Sequence, residues 1–191
     1  MYSQNNEEQF ILSHFAERKG KLLDIGAYDG RTFSNTLALL EKEWEGVLIE
    51  ASPSVFTTLV ANVSHLNVKL INTAIVPIIE GMVTFYNNDG AVATMDEENL
   101  RKWQNKEKFY PISVMTCNIE RLVEYVGTKF DFINIDVEGQ SASLFIEAYP
   151  LFPDCDMWVV EHDSRQAEVI AMAVHHKVIH ENGENLILVR K

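Results

Sequence analysis

Residues 23–30, with the sequence Leu-Asp-Ile-Gly-Ala-Tyr-Asp-Gly, decide the fold class of this chain. The apolar residues up to Ile25 predict a short buried strand that begins at Lys21, and Gly26 allows a sharp turn after it. Gly30 permits close packing where a helix begins. Ligands of open α/β sheets bind beyond the carboxyl ends of the strands, so this turn is a predicted ligand site.

Short apolar runs alternate with helical patterns along the first half of the chain. Ser52 and Pro53 mark one helix start, because serine caps a helix and proline suits its first position. This alternation predicts an α/β, Rossmann-like fold with a mostly parallel sheet flanked by helices on both faces. Helices are predicted over residues 8–19, where Gly20 ends the helix, over 31–43 and after Ser52. Further strands are predicted over 47–49, which follow a break at Gly46, and over 68–71.

The second half of the chain predicts one excursion and one closing hairpin. Residues 76–110 interrupt the alternation, so they are expected to leave the main sheet near the substrate side. Asn182-Gly183 lies between two apolar runs, which is a strong hairpin signal. An antiparallel hairpin at the end of a parallel sheet is typical of the methyltransferase variant of this architecture. We expect one domain over residues 1–191, with an N-terminal helix within residues 1–19.

Composition and charge narrow the class of partner. The chain has 16 basic and 28 acidic residues and a net charge of −12, which disfavours binding to nucleic acid. The mixed stretch 101–108 around Trp103 is interpreted as a solvated helix face, with contact to a nucleotide or acidic substrate as an alternative. The polar start lacks a signal-peptide pattern, and no apolar run reaches the length of a membrane span. With two isolated cysteines, Cys117 and Cys155, we expect a cytoplasmic protein without membrane partners, whose oligomeric state stays open.

Polar groups follow three of the predicted strands and suit the parts of a nucleotide cofactor. Asp24 could accept from an amino group, and the free N–H groups of the following helix could hold a carboxylate. Glu50, 20 residues after Gly30, could accept both hydroxyls of a ribose. Small and polar residues after the third strand suit an adenine edge. The residues predicted to contact the cofactor are Asp24, Gly26, Ala27, Tyr28, Gly30, Glu50, Ala51, Asn72, Thr73, Ala74 and Asp136.

The spacing of the glycines favours one cofactor over its main competitor. Nicotinamide sites require G-x-G-x-x-G, and Tyr28 occupies the second glycine position. The pattern from Asp24 to Gly30, D-x-G-x-x-x-G, matches the form that binds S-adenosylmethionine. We therefore predict a methyltransferase. A non-catalytic binding or accessory protein with the same fold and a nicotinamide-dependent oxidoreductase are the alternatives.

The chain resembles the FkbM-type methyltransferases over about residues 20–163. The likeness lies in four segments, which are residues 23–30, 49–53, 72–75 with 81–86, and 130–139, the last containing the family-specific Ile-Asp-Val-Glu-Gly. The resemblance implies S-adenosylmethionine as methyl donor and O-methylation of a hydroxyl, often on a sugar or natural product. It also implies cofactor contacts at Asp24, Gly26, Gly30 and Glu50. Asn134 stands where the family usually has lysine.

Methyl transfer to a hydroxyl needs a base within hydrogen-bonding reach of the acceptor. The candidates stand after the last two predicted parallel strands and are Asp136, Glu138 and His162, because histidine is a common base at neutral pH. Asp136, Glu161 and Asp163 could instead hold Mg²⁺, since oxygen ligands suit a hard cation, although a metal is not expected. The acceptor is predicted to be a small molecule or glycan, whose identity the sequence does not reveal.

Overall fold

The computed structural model describes residues 1–77 and 81–191, which form a seven-stranded and a three-stranded sheet. No helix in these residues is long and apolar enough to cross a membrane. The strands are β1 (Lys21–Ile25), β2 (Glu45–Glu50), β3 (Val68–Asn72), β4 (Ala74–Val76), β5 (Gly81–Asn87), β6 (Tyr110–Asn118), β7 (Phe132–Ile135), β8 (Met157–Glu161), β9 (His176–Glu181) and β10 (Asn185–Arg190). The helices are α1 (Glu7–Phe15), α2 (Leu37–Leu40), α3 (Pro53–Val63), α4 (Glu97–Trp103), α5 (Ile119–Val126), α6 (Ser141–Ala148) and α7 (Gln166–Met172).

The larger sheet has the strand order β3-β2-β1-β7-β8-β10-β9. The strands from β3 to β8 are parallel, and β10 runs antiparallel to both β8 and β9. The predicted Rossmann-like sheet with a closing antiparallel hairpin is therefore confirmed. Because β1 lies between β2 and β7, the carboxyl ends of these three strands adjoin at one edge of the sheet.

Helices cover both faces of the larger sheet because its strands are apolar on both sides. Leu22, Leu48 and Phe132 belong to the core on one face, where they pack with Phe15 of α1 and Leu59 of α3. The neighbouring residues of the same strands belong to the core on the other face, which α5, α6 and α7 complete through Ile119, Phe145 and Val169. Strands buried on both sides are the expected partners of continuous apolar runs.

The excursion contributes β5 to the smaller sheet, in which β6 pairs with both β4 and β5. Residues 78–80, which belong to the expected excursion, lie outside the described residues. Thr73 Oγ1 donates to the carbonyl oxygen of Met115 at 2.9 Å, which ties this sheet to the end of β3. Thr94 Oγ1 donates to the carbonyl oxygen of Glu138 at 2.7 Å. The excursion therefore returns beside the strand ends of the larger sheet.

The helix expected over residues 31–43 is wrong, because only Leu37–Leu40 is helical. Ser34 Oγ accepts from the N–H of Leu37 at 3.0 Å, and Thr36 Oγ1 donates to a buried carboxylate at 2.6 Å. Phe33, which contributed to the helical pattern, has a φ of 59° and is 51% exposed. Short polar side chains that bond to nearby groups have here overridden the apolar periodicity.

Two glycines that were expected to end elements have packing roles instead. α1 ends at Phe15, before Gly20, and a Cβ on Gly20 would lie 2.7 Å from Asp131 Oδ2. Gly46 lies inside β2, where a Cβ would lie 2.7 Å from Leu40 Cδ2. Neighbouring side chains therefore occupy the space that a larger residue would need.

Phe132→Ala is expected to lower the free energy of unfolding by about 3–5 kcal/mol, because it leaves a cavity in a fully buried core. Guanidinium unfolding followed by circular dichroism measures the change. Val174→Ala, at a residue that is 59% exposed, is the matched control and should shift stability by less than about 0.5 kcal/mol. Equal midpoints for the two variants would contradict the packing described for β7.

Candidate active site

A cavity opens at the carboxyl ends of β1, β2 and β7. The turn after β1 contributes Gly26 and Tyr28, the end of β2 contributes Glu50, and the segment after β7 contributes Asp136 and Glu138. The excursion completes the cavity wall with Phe85, Gly90, Ala91, Ala93 and Met95. The parallel strands thus bring backbone and carboxyl groups to the edge where α/β sheets bind ligands.

The turn after β1 passes so close to the end of β7 that only glycine fits at residue 26. Gly26 has a φ of +89°, and a Cβ there would lie 1.7 Å from the carbonyl oxygen of Asp136. The N–H groups of Gly26 and Ala27 both donate to the carbonyl oxygen of Ile49, at 3.0 and 2.9 Å. The N–H of Asp136 donates to the carbonyl oxygen of Ile25 at 2.9 Å. The turn is therefore fixed by both neighbouring strands.

Gly26→Ala is expected to leave little folded protein, because the new methyl group would overlap a backbone oxygen at a φ that alanine rarely adopts. Thermal unfolding followed by circular dichroism measures the loss. Gly183→Ala is the matched control, since a Cβ at Gly183 meets no atom within 4 Å. A Gly26→Ala protein as stable as that control would mean that the turn is not packed as described.

Glu50 is a carboxylate held by backbone donors at the end of β2. Its Oε2 accepts from the N–H of Tyr28 at 3.0 Å, and its Oε1 accepts from the N–H of Ser52 at 2.7 Å. The residue is 8% exposed, and burial raises its pKa to about 7 against the effect of these hydrogen bonds. A carboxylate offers about four lone-pair sites, so Glu50 keeps capacity to accept a hydrogen bond from a ligand.

Asp24 begins a chain of hydrogen-bonded side chains in the cavity wall. Thr36 Oγ1 donates to Asp24 Oδ2 at 2.6 Å, and Asn134 Nδ2 donates to Asp24 Oδ1 at 2.9 Å. Asn35 Nδ2 donates in turn to Asn134 Oδ1 at 3.0 Å. Asp24 is 2% exposed, and burial raises its pKa while both donors lower it. The first role of this carboxyl group is therefore to hold its two neutral donors in place.

Three carboxyl side chains, Asp136, Glu138 and Glu161, form a cluster beside the cavity. Each offers an oxygen that lies within 4.8 Å of the other two. Burial, followed by the charges of Glu161 and Glu138, raises the pKa of Asp136 well above its usual range. Burial likewise raises the pKa of Glu161 to about 8. The oxygens lie close together where burial is strong, so the ionised form of Glu161 opposes ionisation of Asp136.

Glu138 differs from the other two in being held by the excursion. Its Oε2 accepts from Asn99 Nδ2 of α4 at 2.8 Å, and its carbonyl oxygen accepts from Thr94 Oγ1 at 2.7 Å. Burial raises the pKa of Glu138, while Asn99 and the charge of Lys102 lower it. Its backbone φ of 51° lies in the left-handed region, which is uncommon for a residue other than glycine. Such conformations persist where the surroundings enforce them, often at functional sites.

The alternative Mg²⁺ ligand set, Asp136, Glu161 and Asp163, differs from the group of carboxyl oxygens that the structure brings together. Asp163 Oδ1 accepts from the N–H of Gly139 at 3.1 Å, and its Oδ2 accepts from the N–H of Ala142 at 2.8 Å. Both carboxyl oxygens of Asp163 therefore bind backbone N–H groups at the start of α6. Among the described residues, Glu138 takes its place in the group of oxygens close enough to share a cation.

His162 lies outside the cavity wall. The N–H of Ser164 donates to His162 Nδ1 at 3.1 Å, so the proton is on Nε2, which donates to the carbonyl oxygen of Asn182 at 3.3 Å. The residue is 3% exposed. With both ring nitrogens bonded to backbone groups, His162 links the end of β8 to the closing hairpin, and the structure does not bring it to the carboxyl cluster.

Comparison with known sequences identifies the family of this chain. The model of the methyltransferase FkbM domain matches residues 24–183, a span that contains the glycine turn, Glu50 and the carboxyl cluster. The chain belongs to the methyltransferase FkbM family. No curated protein sequence matches it.

Solved structures share the fold of this FkbM domain at low sequence identity. An O-methyltransferase from Bacillus cereus in complex with SAH superposes with a TM-score of 0.55 and 15% identity, over 100% of this chain and 83% of that one. A methyltransferase FkbM from Methylobacillus flagellatus KT has a TM-score of 0.56 and 11% identity, over 89% of this chain but 43% of that one. A hypothetical protein from Thermus thermophilus has a TM-score of 0.55 and 16% identity, over 99% and 87%. At such identities the likeness establishes the fold alone.

Most residues predicted to contact a cofactor line the cavity of this FkbM domain, namely Asp24, Gly26, Ala27, Tyr28, Glu50, Ala51, Thr73, Ala74 and Asp136. Asn72 and Gly30 lie behind the wall. Asn72 Nδ2 donates to the carbonyl oxygens of Glu50 and Ala51, at 2.8 and 3.1 Å. At Gly30 a Cβ would lie 2.5 Å from Leu59 Cδ1 of α3, so this glycine permits packing of the loop on the helix.

Sequence reasoning missed the polar residues that precede α2 in this FkbM domain. Thr32, Ser34 and Asn35 line the cavity. A usable signal was present, because four of the five residues from 32 to 36 have short polar side chains, which compete with helical hydrogen bonds. Asn99 was also missed, since no local pattern links α4 to Glu138.

Proposed function

We propose that this FkbM-family protein is an S-adenosylmethionine-dependent O-methyltransferase that modifies a hydroxyl of a sugar, glycan or small metabolite. The proposal is carried by one observation, the cavity in which Glu50 and the pair Asp136 and Glu138 lie at adjoining strand ends. The cofactor would supply an electrophilic methyl group on a sulfonium. The tasks of the chain are then to align the acceptor hydroxyl and to take its proton.

The chemistry of the wall fits this cofactor. Glu50 would accept the ribose hydroxyls, and Ala51, Thr73 and Ala74 offer small surface beside an adenine. The wall carries four acidic side chains and no basic one among its described residues: Asp24, Glu50, Asp136 and Glu138. Such a wall favours a cationic sulfonium and opposes the pyrophosphate of a nicotinamide dinucleotide.

Glu138 is the proposed general base. It lines the cavity, its Oε2 is oriented by Asn99, and burial raises its pKa, which makes the carboxylate a better proton acceptor. Burial and the charge of Glu161 oppose ionisation of Asp136, which would orient the acceptor instead. We do not assign this role to His162, because it lies outside the wall and both of its ring nitrogens are bonded to backbone groups.

The excursion is the proposed acceptor side of the cavity. Met95 lines the wall, and Thr94 and Asn99 contact Glu138 directly. These contacts support the proposal that residues 1–191 act as one domain, in which residues 76–110 shape the substrate site. The acceptor would reach the carboxyl cluster from this side.

Cofactor binding is expected to weaken as the pH falls through about 7, the pKa of Glu50. The ionised carboxylate accepts hydroxyl hydrogen bonds, whereas the protonated one must first lose its proton, so affinity falls by up to about tenfold per pH unit below that value. Calorimetry with S-adenosylmethionine across this range measures the slope. Glu50→Gln is expected to bind about 10- to 100-fold more weakly and to lose this part of the pH dependence. Unchanged affinity and slope in the variant would remove Glu50 from the cofactor site.

The Glu50 carboxyl group is expected to affect the stability of the free protein in the opposite direction, so that a rise in pH lowers stability while it raises cofactor affinity. Because the folded state binds the Glu50 proton more tightly than the unfolded state, its contribution to stability falls as pH rises from the ordinary value of 4.5 to about 7. Bound cofactor should offset this loss, so ligand-induced stabilisation is expected to be larger above pH 7 than below it.

Glu138→Gln is expected to lower kcat by about 100-fold or more while cofactor affinity stays within about twofold, because the amide keeps the shape but cannot take a proton. Transfer of labelled methyl groups from S-adenosylmethionine to a panel of hydroxylated metabolites and glycans measures the rate. Glu181→Gln, at an exposed position of β9, is the control and should match the wild type. A Glu138→Gln enzyme with wild-type kcat would assign the proton transfer to another group.

The same panel separates the alternatives. Binding of S-adenosylmethionine without turnover of any acceptor would favour an accessory protein, and binding of NAD in its place would favour an oxidoreductase. Rates measured with Mg²⁺ and with a chelator test whether the carboxyl cluster uses a cation. Equal rates in both conditions would assign the cluster to proton transfer alone.

A further inference from the structure

We propose that Asn35 binds the α-ammonium group of the cofactor, and that the chain of side chains Asp24–Asn134–Asn35 holds it for this purpose. The inference rests on the proposed function, because it assigns a residue to one end of the same ligand. Asn35 lines the cavity, and its Oδ1 is buried without a hydrogen-bond donor among residues 1–77 and 81–191. A buried oxygen without a donor costs stability, and a bound ligand could supply the missing group.

Asp24 sets the direction of the hydrogen bonds along the row of side chains Asp24–Asn134–Asn35. Asp24 Oδ1 accepts a hydrogen bond from Asn134, which therefore turns its Nδ2 toward Asp24, at 2.9 Å. This leaves Asn134 Oδ1 for Asn35, which must donate its own Nδ2, at 3.0 Å. Rotation of the Asn35 amide would set two oxygens against each other. The free end of the chain is therefore an acceptor, Asn35 Oδ1, and it requires a donor from the ligand.

The charge of the wall favours an ammonium over a neutral donor. Both donors to Asp24, Thr36 and Asn134, are neutral, so neither brings a positive charge to this carboxyl group. Among the described wall residues four side chains are acidic and none is basic. Each amide of the chain is polarised by the carboxylate behind it, which strengthens Asn35 Oδ1 as an acceptor. A charged donor forms a stronger hydrogen bond there than a hydroxyl does.

The test compares two ligands by calorimetry on the full chain: S-adenosylhomocysteine and an analogue in which hydrogen replaces the α-amino group. Asn35→Ala is expected to lower the affinity for S-adenosylhomocysteine by about 10- to 100-fold. The affinity for the deaminated analogue should change by less than about twofold. Asn105→Ala, at an exposed asparagine after α4, is the matched control and should change neither affinity.

Each outcome decides the proposal. Equal weakening of both ligands by Asn35→Ala would assign a structural role to Asn35, and unchanged binding of S-adenosylhomocysteine would remove it from the ligand site. Thermal unfolding checks that each variant is folded. If Asn35→Ala does not fold, Asn134→Ala, which removes the anchor of Asn35, carries the same comparison. A wild-type protein that binds neither ligand would refute the proposed function itself, whereas wild-type binding without an effect of the amino group refutes only the role of Asn35.

Discussion

The close approach of the β1 turn to the end of β7 is the constraint on which the site depends. Gly26 lies against the carbonyl oxygen of Asp136, and the turn is also bonded to the end of β2 through Ile49. Because these strands are buried on both faces, the turn cannot move away without breaking the sheet. The cofactor side and the carboxyl cluster therefore share one rigid frame. Asp136 contacts the turn through its backbone carbonyl group, and its side chain belongs to the cluster.

The carboxyl groups of the cavity wall lower the stability of the fold, because they are buried away from water. Asp24, Glu50 and Asp136 are brought from water into surroundings where burial raises the pKa of each. Hydrogen bonds from backbone and amide groups recover part of this cost, but they bring no positive charge. Residues chosen for folding alone would be apolar here. A ligand with positive charge would return stability to the protein on binding.

The fold could be predicted from sequence because its signals are local. The apolar runs, Ser52 with Pro53 and the Asn182-Gly183 turn each mark their element without knowledge of the rest of the chain. The segment before α2 could not be predicted in this way, since its path depends on a hydrogen bond from Thr36 to Asp24, 12 residues away. Which residues form the carboxyl cluster could not be predicted from sequence for a similar reason. Sequence gives the strand ends, but whether Glu138 or Asp163 turns to the cluster depends on α4 and α6, which contact them from elsewhere in the chain.

The position of β10 has a consequence for the order in which the protein forms. This strand is the last of the ten in the described residues, yet it lies inside the larger sheet, and β9, made before it, lies at the edge. Leu186 and Leu188 of β10 complete one hydrophobic core, while Ile187 and Val189 complete the other. During synthesis on the ribosome, β9 has no neighbour and both cores stay open until β10 has emerged. The sheet must therefore close in one late step, and until then a nascent chain exposes the edge of β8 to other molecules.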